Sequence, residues 1–233
     1  MGYYQEKLSG NRLRRCYEIA PSRVKQYLTA EIQHVIQQVK PTDFVLELGC
    51  GYGRVVFELA KMARRVIGID NALDGLALAR AQADSQNRCG FLAMDATNLA
   101  FAPSQFNVVV CLQNGICAFR VDQARLVEEA VRVTRPGGRV LFSSYAEQFW
   151  SQRLEWFELQ AQQGLVGEID YGNTRKGTIV CKDGFQSGTM TANAFEILCY
   201  ELGLRFALSE VDESSVFCEI QVPPSNSTPI SQD

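Results

Sequence analysis

Histidine is almost absent from these 233 residues, with a single copy at His34. A zinc hydrolase or a serine or cysteine triad would need it at the chemistry. It lies instead in LTAEIQHVIQQV, whose apolar positions recur at helical spacing, and reads as an ordinary residue of its helix. The eight cysteines (Cys16, Cys50, Cys89, Cys111, Cys117, Cys181, Cys199 and Cys218) include no C-x-x-C pair. Structural zinc is therefore disfavoured, no metal is expected, and the cysteines read as small reduced hydrophobes. The longest apolar run is VVVCL at 108–112, far short of the roughly 18 residues a membrane span needs. The opening MGYYQEKLSG lacks the apolar core of a signal peptide, so a cytoplasmic protein is expected. Neither charge is in excess: 23 basic residues against 26 acidic ones, a formal net charge of -3, point to no polyanionic partner and disfavour nucleic acid.

What the chain does have is alternation. Residues 1–40 read as a helical, basic cap or lid. From Phe44 the short apolar segments FVLELG, RVIGID, CGFLAMD, FNVVVCLQ and GRVLFSSY alternate with the amphipathic RVVFELAKMA, NALDGLALARAQA and VDQARLVEEAVRVT. Such alternation predicts an α/β fold of right-handed βαβ units, a parallel sheet with helices on both faces. Residues 41–222 are expected to form one domain, 146–177 a substrate-side insertion within it, and 223–233 a disordered tail. In the insertion, Phe149, Trp150, Trp156 and Phe157 fit core packing better than a cavity wall.

The stretch DFVLELGCGYGRVV, residues 43–56, bares backbone at Gly49, Gly51 and Gly53 between a strand and a helix. A dinucleotide fingerprint would place its third glycine at position 54, which is Arg54, and no lysine follows Gly53 until Lys61, so neither NAD nor a phosphate-cradling loop fits. Glu47 would repel a phosphate and suits a cationic group. Asp70, ending VIGID, can accept both hydroxyls of an unphosphorylated ribose, and Asp95, ending FLAMD, can take an adenine amine while the Ala96 N–H donates to a ring nitrogen. Together these describe an adenosine joined to an amino acid.

In VLELGCGYG, VIGID, FLAMDAT, FNVVVCLQNGI and RPGGRVLFSSY, spread over residues 43–145, the chain resembles the class I S-adenosylmethionine-dependent methyltransferases. The resemblance implies a Rossmann-like seven-stranded, mostly parallel sheet of order 3-2-1-4-5-7-6 with strand 7 antiparallel, and S-adenosylmethionine as cofactor. It also implies that Glu47 and the Gly49–Gly53 backbone hold the methionine end, Asp70 the ribose, and Asp95 and Ala96 the adenine, with Gln113 and Asn114 bordering the transferring methyl. Asn71 stays open between a ligand contact and the N-cap of the following helix. Arg54 reads as a helix-face residue that could meet a carboxylate, and Tyr52 is undecided.

In-line methyl transfer can draw roughly 7–11 kcal/mol from positioning alone, so the want of histidine is no objection. If the nucleophile carries a proton, Tyr17, Asn114 or a carboxylate could remove it. QNGI stands where an Asn-Pro-Pro-aromatic motif would mark an amino-group methylase of adenine or glutamine, and no Pro-Cys or Thr-Cys dipeptide offers a cytosine nucleophile. The expected partner is a small-molecule acceptor, with no nucleic acid or membrane, in a monomer or homodimer. The alternatives are a non-catalytic S-adenosylmethionine-binding subunit or sensor, or an RNA or protein methyltransferase. Tyr3, Tyr4, Tyr17, Arg14 and Arg15 are candidates to contact the cofactor or an anionic substrate, and removing residues 1–20 is expected to weaken cofactor binding or turnover while leaving the core folded.

Overall fold

The computed structural model describes residues 2–83 and 88–224; residues 225–233 of the expected tail lie outside them. In chain order the strands are β1 (Phe44–Leu48), β2 (Arg65–Asp70), β3 (Cys89–Ala93), β4 (Phe106–Cys111), β5 (Thr134–Tyr145), a short hairpin of β6 (Ile179–Val180) and β7 (Gln186–Ser187), then β8 (Phe206–Val211) and β9 (Ser215–Gln221). Seven of them form one sheet in the order β3-β2-β1-β4-β5-β9-β8. Neighbours from β3 through β5 are parallel, and β9 pairs antiparallel with both β5 and β8. This is the expected order and polarity, with β8 and β9 as the sixth and seventh strands because the hairpin intervenes. Val45, Leu46, Val109, Val110, Val140 and Leu141 are buried in the central strands. Helices cover both faces, as their unbroken apolar character requires.

The helices are α1 (Tyr3–Glu6), α2 (Gly10–Glu18), α3 (Ser22–Ile36), α4 (Arg54–Ala60), α5 (Leu73–Gln82), α6 (Gly115–Ala118), α7 (Gln123–Val133), α8 (Trp150–Gln162) and α9 (Ala192–Glu201). Two side-chain caps start them where the sequence supplies an oxygen: Asp122 accepts from Ala124 and Arg125 N–H at α7, and Thr191 from Ala194 N–H at α9. One core on each face of the sheet holds the main body together. α3 contributes Ile32 and Val35 to the core on the α4 side, so it is a layer of the main body, whereas α1 and α2 reach the carboxyl edge of the sheet.

A third core lies above that edge, shared by the amino-terminal segment (Leu8, Cys16, Ala20, Val24, Tyr27, Leu28) and the later one (Phe149, Trp156, Phe157, Leu165, Phe185). Polar ties join the same two segments: Trp156 Nε1 donates to Cys16 O at 2.8 Å, Arg12 to the carbonyls of Gly164 and Leu165, and Tyr3 to Asp183. Arg153, 1% exposed, anchors the far side by donating to Ser187, Gly188 and Thr189. Among the described residues no helix is long and apolar enough to cross a membrane.

Candidate active site

The glycine loop is built by backbone geometry that side chains would block. Gly49, Gly51 and Gly53 have φ of 75°, 52° and 88°, values that favour glycine. A Cβ on Gly49 would overlap the Phe119 ring, and one on Gly53 would lie 2.9 Å from Phe57. Gly49 and Cys50 N–H donate to Ile69 O at 2.8 and 2.9 Å, folding the loop back onto β2. Asp70 completes the cradle: its Oδ2 accepts from Gly51 N–H and its Oδ1 from Ala72 N–H, both at 2.8 Å. α5 therefore starts at an Asp70-held turn with Ala72 as N-cap, and Asn71 lines the cavity without capping a helix.

That cavity, of about 170 Å³, lies between the carboxyl edge of the sheet and the third core. Of the residues expected to hold a cofactor, Glu47, Gly49, Gly51, Asp70, Asn71, Asp95, Ala96 and Gln113 line it; Gly53 stands behind them as the N-cap of α4. Glu47 is 4% exposed and its Oε2 has no hydrogen-bond partner. Burial pushes its carboxyl up to about 8, the Arg54 guanidinium opposing and Asp70 adding. Burial also raises Asp70. Asp95 is exposed at the rim, one oxygen held by Thr97 N–H and Oγ1 at 2.8 Å.

The other half of the cavity is aromatic, with Tyr4, Tyr17, Tyr145, Trp156 and Phe157 in its wall, so Trp156 and Phe157 serve core and cavity at once. Tyr17 donates to Gln113 Oε1 at 2.8 Å and lies under the Arg54 guanidinium, 4.9 Å from its ring centroid. Burial drives the Tyr17 hydroxyl well above its usual range, making it a donor and a poor base. Asn114 is not brought to the cavity. Its Nδ2 donates to Gly188 O and its Oδ1 accepts from Ser144 Oγ, so the side chain fastens the turn after β4 to the loop after β7. Arg14 and Arg15 pair with Glu18 on the surface.

Sequence reasoning missed Arg54 as a wall residue. It faces the cavity with a buried Nη2 that lacks a partner, and its place directly after the third glycine was the available signal. His34 lies elsewhere, against Phe217 and Glu219. An S-adenosylmethionine fits what is present: a Glu47 carboxyl oxygen and an Arg54 guanidinium nitrogen, each without a hydrogen-bond partner, for a zwitterion, a bare backbone cradle between them, and two strand-end carboxylates beyond.

Known proteins resemble this chain in sequence and in fold. The methyltransferase-domain family matches residues 45–138. A 2-phytyl-1,4-naphtoquinone methyltransferase of Thermosynechococcus vestitus is 30% identical over 178 residues, covering 66% of this chain and 76% of that one. A ubiquinone biosynthesis O-methyltransferase of Hydrogenovibrio crunogenus is 29% identical over 124 residues, 52% of this chain and 51% of that one. The fold is shared with N-methyltransferase NodS of Bradyrhizobium japonicum in complex with S-adenosyl-L-homocysteine, at a TM-score of 0.58 and 14% identity, covering 91% and 97% of the two chains. The chain belongs to the class I S-adenosylmethionine-dependent methyltransferases. It spans about half the length of the curated relatives it first matches, 51%, 39% and 44% of three of them.

Proposed function

We propose that this protein transfers a methyl group from S-adenosylmethionine to a small-molecule acceptor. The observation that carries the reading is one cavity with two halves: Glu47, Arg54, Asp70 and Asp95 around the glycine loop, and an aromatic compartment beside them. Bound S-adenosylmethionine supplies a methyl on a positive sulfur, displaced in line with a neutral leaving group. Glu47 holds the ammonium and Arg54 the carboxylate of its methionine end. Gly49 and Gly51 admit it, with Gly53 starting α4 behind them, Asp70 and Asn71 hold the ribose, and Asp95 and Ala96 read the adenine. Gln113, oriented by Tyr17, marks the passage between the halves.

The acceptor compartment is mostly apolar and roofed by the amino-terminal segment, which suits a small planar molecule and excludes water. The quinone-pathway relatives are named for small-molecule chemistry of this kind. Residues 1–40 as a cap on a 41–222 domain, with 146–177 inserted on the substrate side, belong to the same proposal, supported by the core the two segments share.

Thermal unfolding with S-adenosylmethionine, S-adenosylhomocysteine, NAD and ATP tests it. Stabilisation of about 2.7 kcal/mol is expected at a hundredfold excess over Kd, with the first two ligands alone. Asp70→Ala removes charge-assisted hydrogen bonds of about 1.5–3 kcal/mol and should weaken binding some tenfold to hundredfold. A shift with NAD, or none with the first two, refutes the reading.

A further inference from the structure

Glu31 is 0% exposed in the middle of α3, and neither of its carboxyl oxygens has a hydrogen-bond partner. A buried carboxyl left unpaired is among the costlier groups a fold can carry, and the cofactor half of the cavity makes no use of it. Three hydroxyls face it: Tyr27, one turn earlier on the same helix, Ser143 on β5 and Ser215 on β9. The Tyr27 hydroxyl also lacks a well-formed hydrogen bond. It faces Tyr145, whose ring centroid is 5.6 Å from that of Tyr27. Tyr145 sits opposite Ser215 in the β5–β9 register and lines the acceptor half of the cavity. Two phenols and a carboxyl therefore run from the cavity wall into the core, in a compartment whose other phenol near the passage, Tyr17, is already committed to Gln113.

We propose that Tyr145, Tyr27 and Glu31 form a proton relay that accepts the proton of a protic acceptor, an O–H or N–H nucleophile, with Glu31 as its terminus. The proposal rests on the methyltransferase reading above. The acceptor's proton passes to Tyr145 Oη as the Tyr145 proton passes to Tyr27 Oη and the Tyr27 proton to a Glu31 oxygen. The electron pair freed on the acceptor forms the bond to the methyl carbon, and the pair of the broken carbon–sulfur bond stays on sulfur. One carboxylate and one sulfonium become a carboxylic acid and a thioether, so charge and atoms balance.

Burial pushes Glu31 up to about 7, against the Ser143, Ser215 and Tyr27 hydroxyls and the Arg54 guanidinium, and a terminus of that strength is matched to proton transfer near neutrality. The groups facing it are Tyr27 from its own helix, Arg54 from α4, Ser143 and Tyr145 from β5, Ser215 from β9 and Cys111 from β4. The relay groups face one another without hydrogen-bond geometry at Glu31 and Tyr27 in this conformation, and align when the compartment fills, as proton-transfer contacts commonly do.

The test uses the full chain saturated with S-adenosylhomocysteine and, as probe, 4-nitrophenol at pH 7. Phenolate is read from its colour and protonated Glu31 from the infrared carboxyl band. Both signals should rise together on mixing. Glu31→Gln and Tyr27→Phe, each nearly isosteric, should lose both by at least fivefold while keeping the wild-type affinity for S-adenosylhomocysteine. Equal phenolate in the variants, phenolate without the carboxyl band, or failure of the phenol to bind the complex overturns the relay. Calorimetry with S-adenosylhomocysteine comes first, and its failure would instead overturn the methyltransferase reading.

Discussion

Glu47 and Glu31 are both buried acids, yet they make opposite demands on pH. A ligand ammonium beside Glu47 favours its ionised form, while the empty site holds its proton up to about 8. Cofactor binding below that pH must therefore expel a proton. The affinity for S-adenosylmethionine is expected to weaken about tenfold for each unit the pH falls below 8. The calorimetric enthalpy should vary with the ionisation heat of the buffer, and Glu47→Gln should bind more weakly with neither dependence. A pH-independent affinity would place the ammonium elsewhere. At Glu31 no ligand charge compensates. Its carboxyl titrates near 4.5 ordinarily and about 7 in the fold, so the folded chain holds the proton more tightly than the unfolded one. Its stabilising contribution is full below about pH 4.5 and is lost as pH rises through about 7. Glu31→Gln should thus raise the melting temperature relative to wild type increasingly across that window. An equal difference at both ends of it would show that the carboxyl does not ionise within the fold.

At the scale of elements, α1 and α2 are more than a cover. Leu8, Cys16 and Ala20 are buried in the same core as Trp156, Phe157 and Phe185, so deleting residues 1–20 strips apolar partners from three large aromatics. Fully burying one side chain of that kind is worth about 1.5–3 kcal/mol. The truncated chain should lose several kcal/mol in urea unfolding as well as cofactor affinity, and should expose Trp156 to quenching. A truncated chain with an unchanged urea midpoint would restore the detachable lid expected from the sequence. The sheet was legible because each strand end carries its own local signal: glycines after β1, Asp70 closing β2, Asp95 after β3. What lay hidden depends on chain segments far apart. Nothing local to Trp156 announces that its indole reaches Cys16 O, 140 residues away, nor local to Asn114 that Gly188 will claim its amide. Glu31 falls between, since Leu28, Ile32 and Val35 mark the inward face of α3 and a carboxyl among them was a readable anomaly.

Across the whole molecule, three cores of unequal footing follow from this layout. Two grip the sheet from either face, while the third holds the amino-terminal and 146–188 segments against its carboxyl edge and encloses the cavity. A ligand walled in on one side by Tyr4, Leu13, Tyr17 and Trp156 is expected to enter with motion of that third core, because the sheet strands cannot part without losing their ladder. Such an opening is sub-global and costs less than full unfolding. Amides of α2 and of the hairpin β6–β7 are therefore expected to exchange with solvent faster than those of β1, β4 and β5, and at rates similar to one another. Saturating S-adenosylhomocysteine should slow exchange in the third core by a larger factor than in the central strands, because the proposed site puts the ligand between the glycine loop and α2, where it would stabilise the closed arrangement in particular. Cap amides as slow as those of β4 without ligand, or unmoved by it, would mean that the cavity fills by another route.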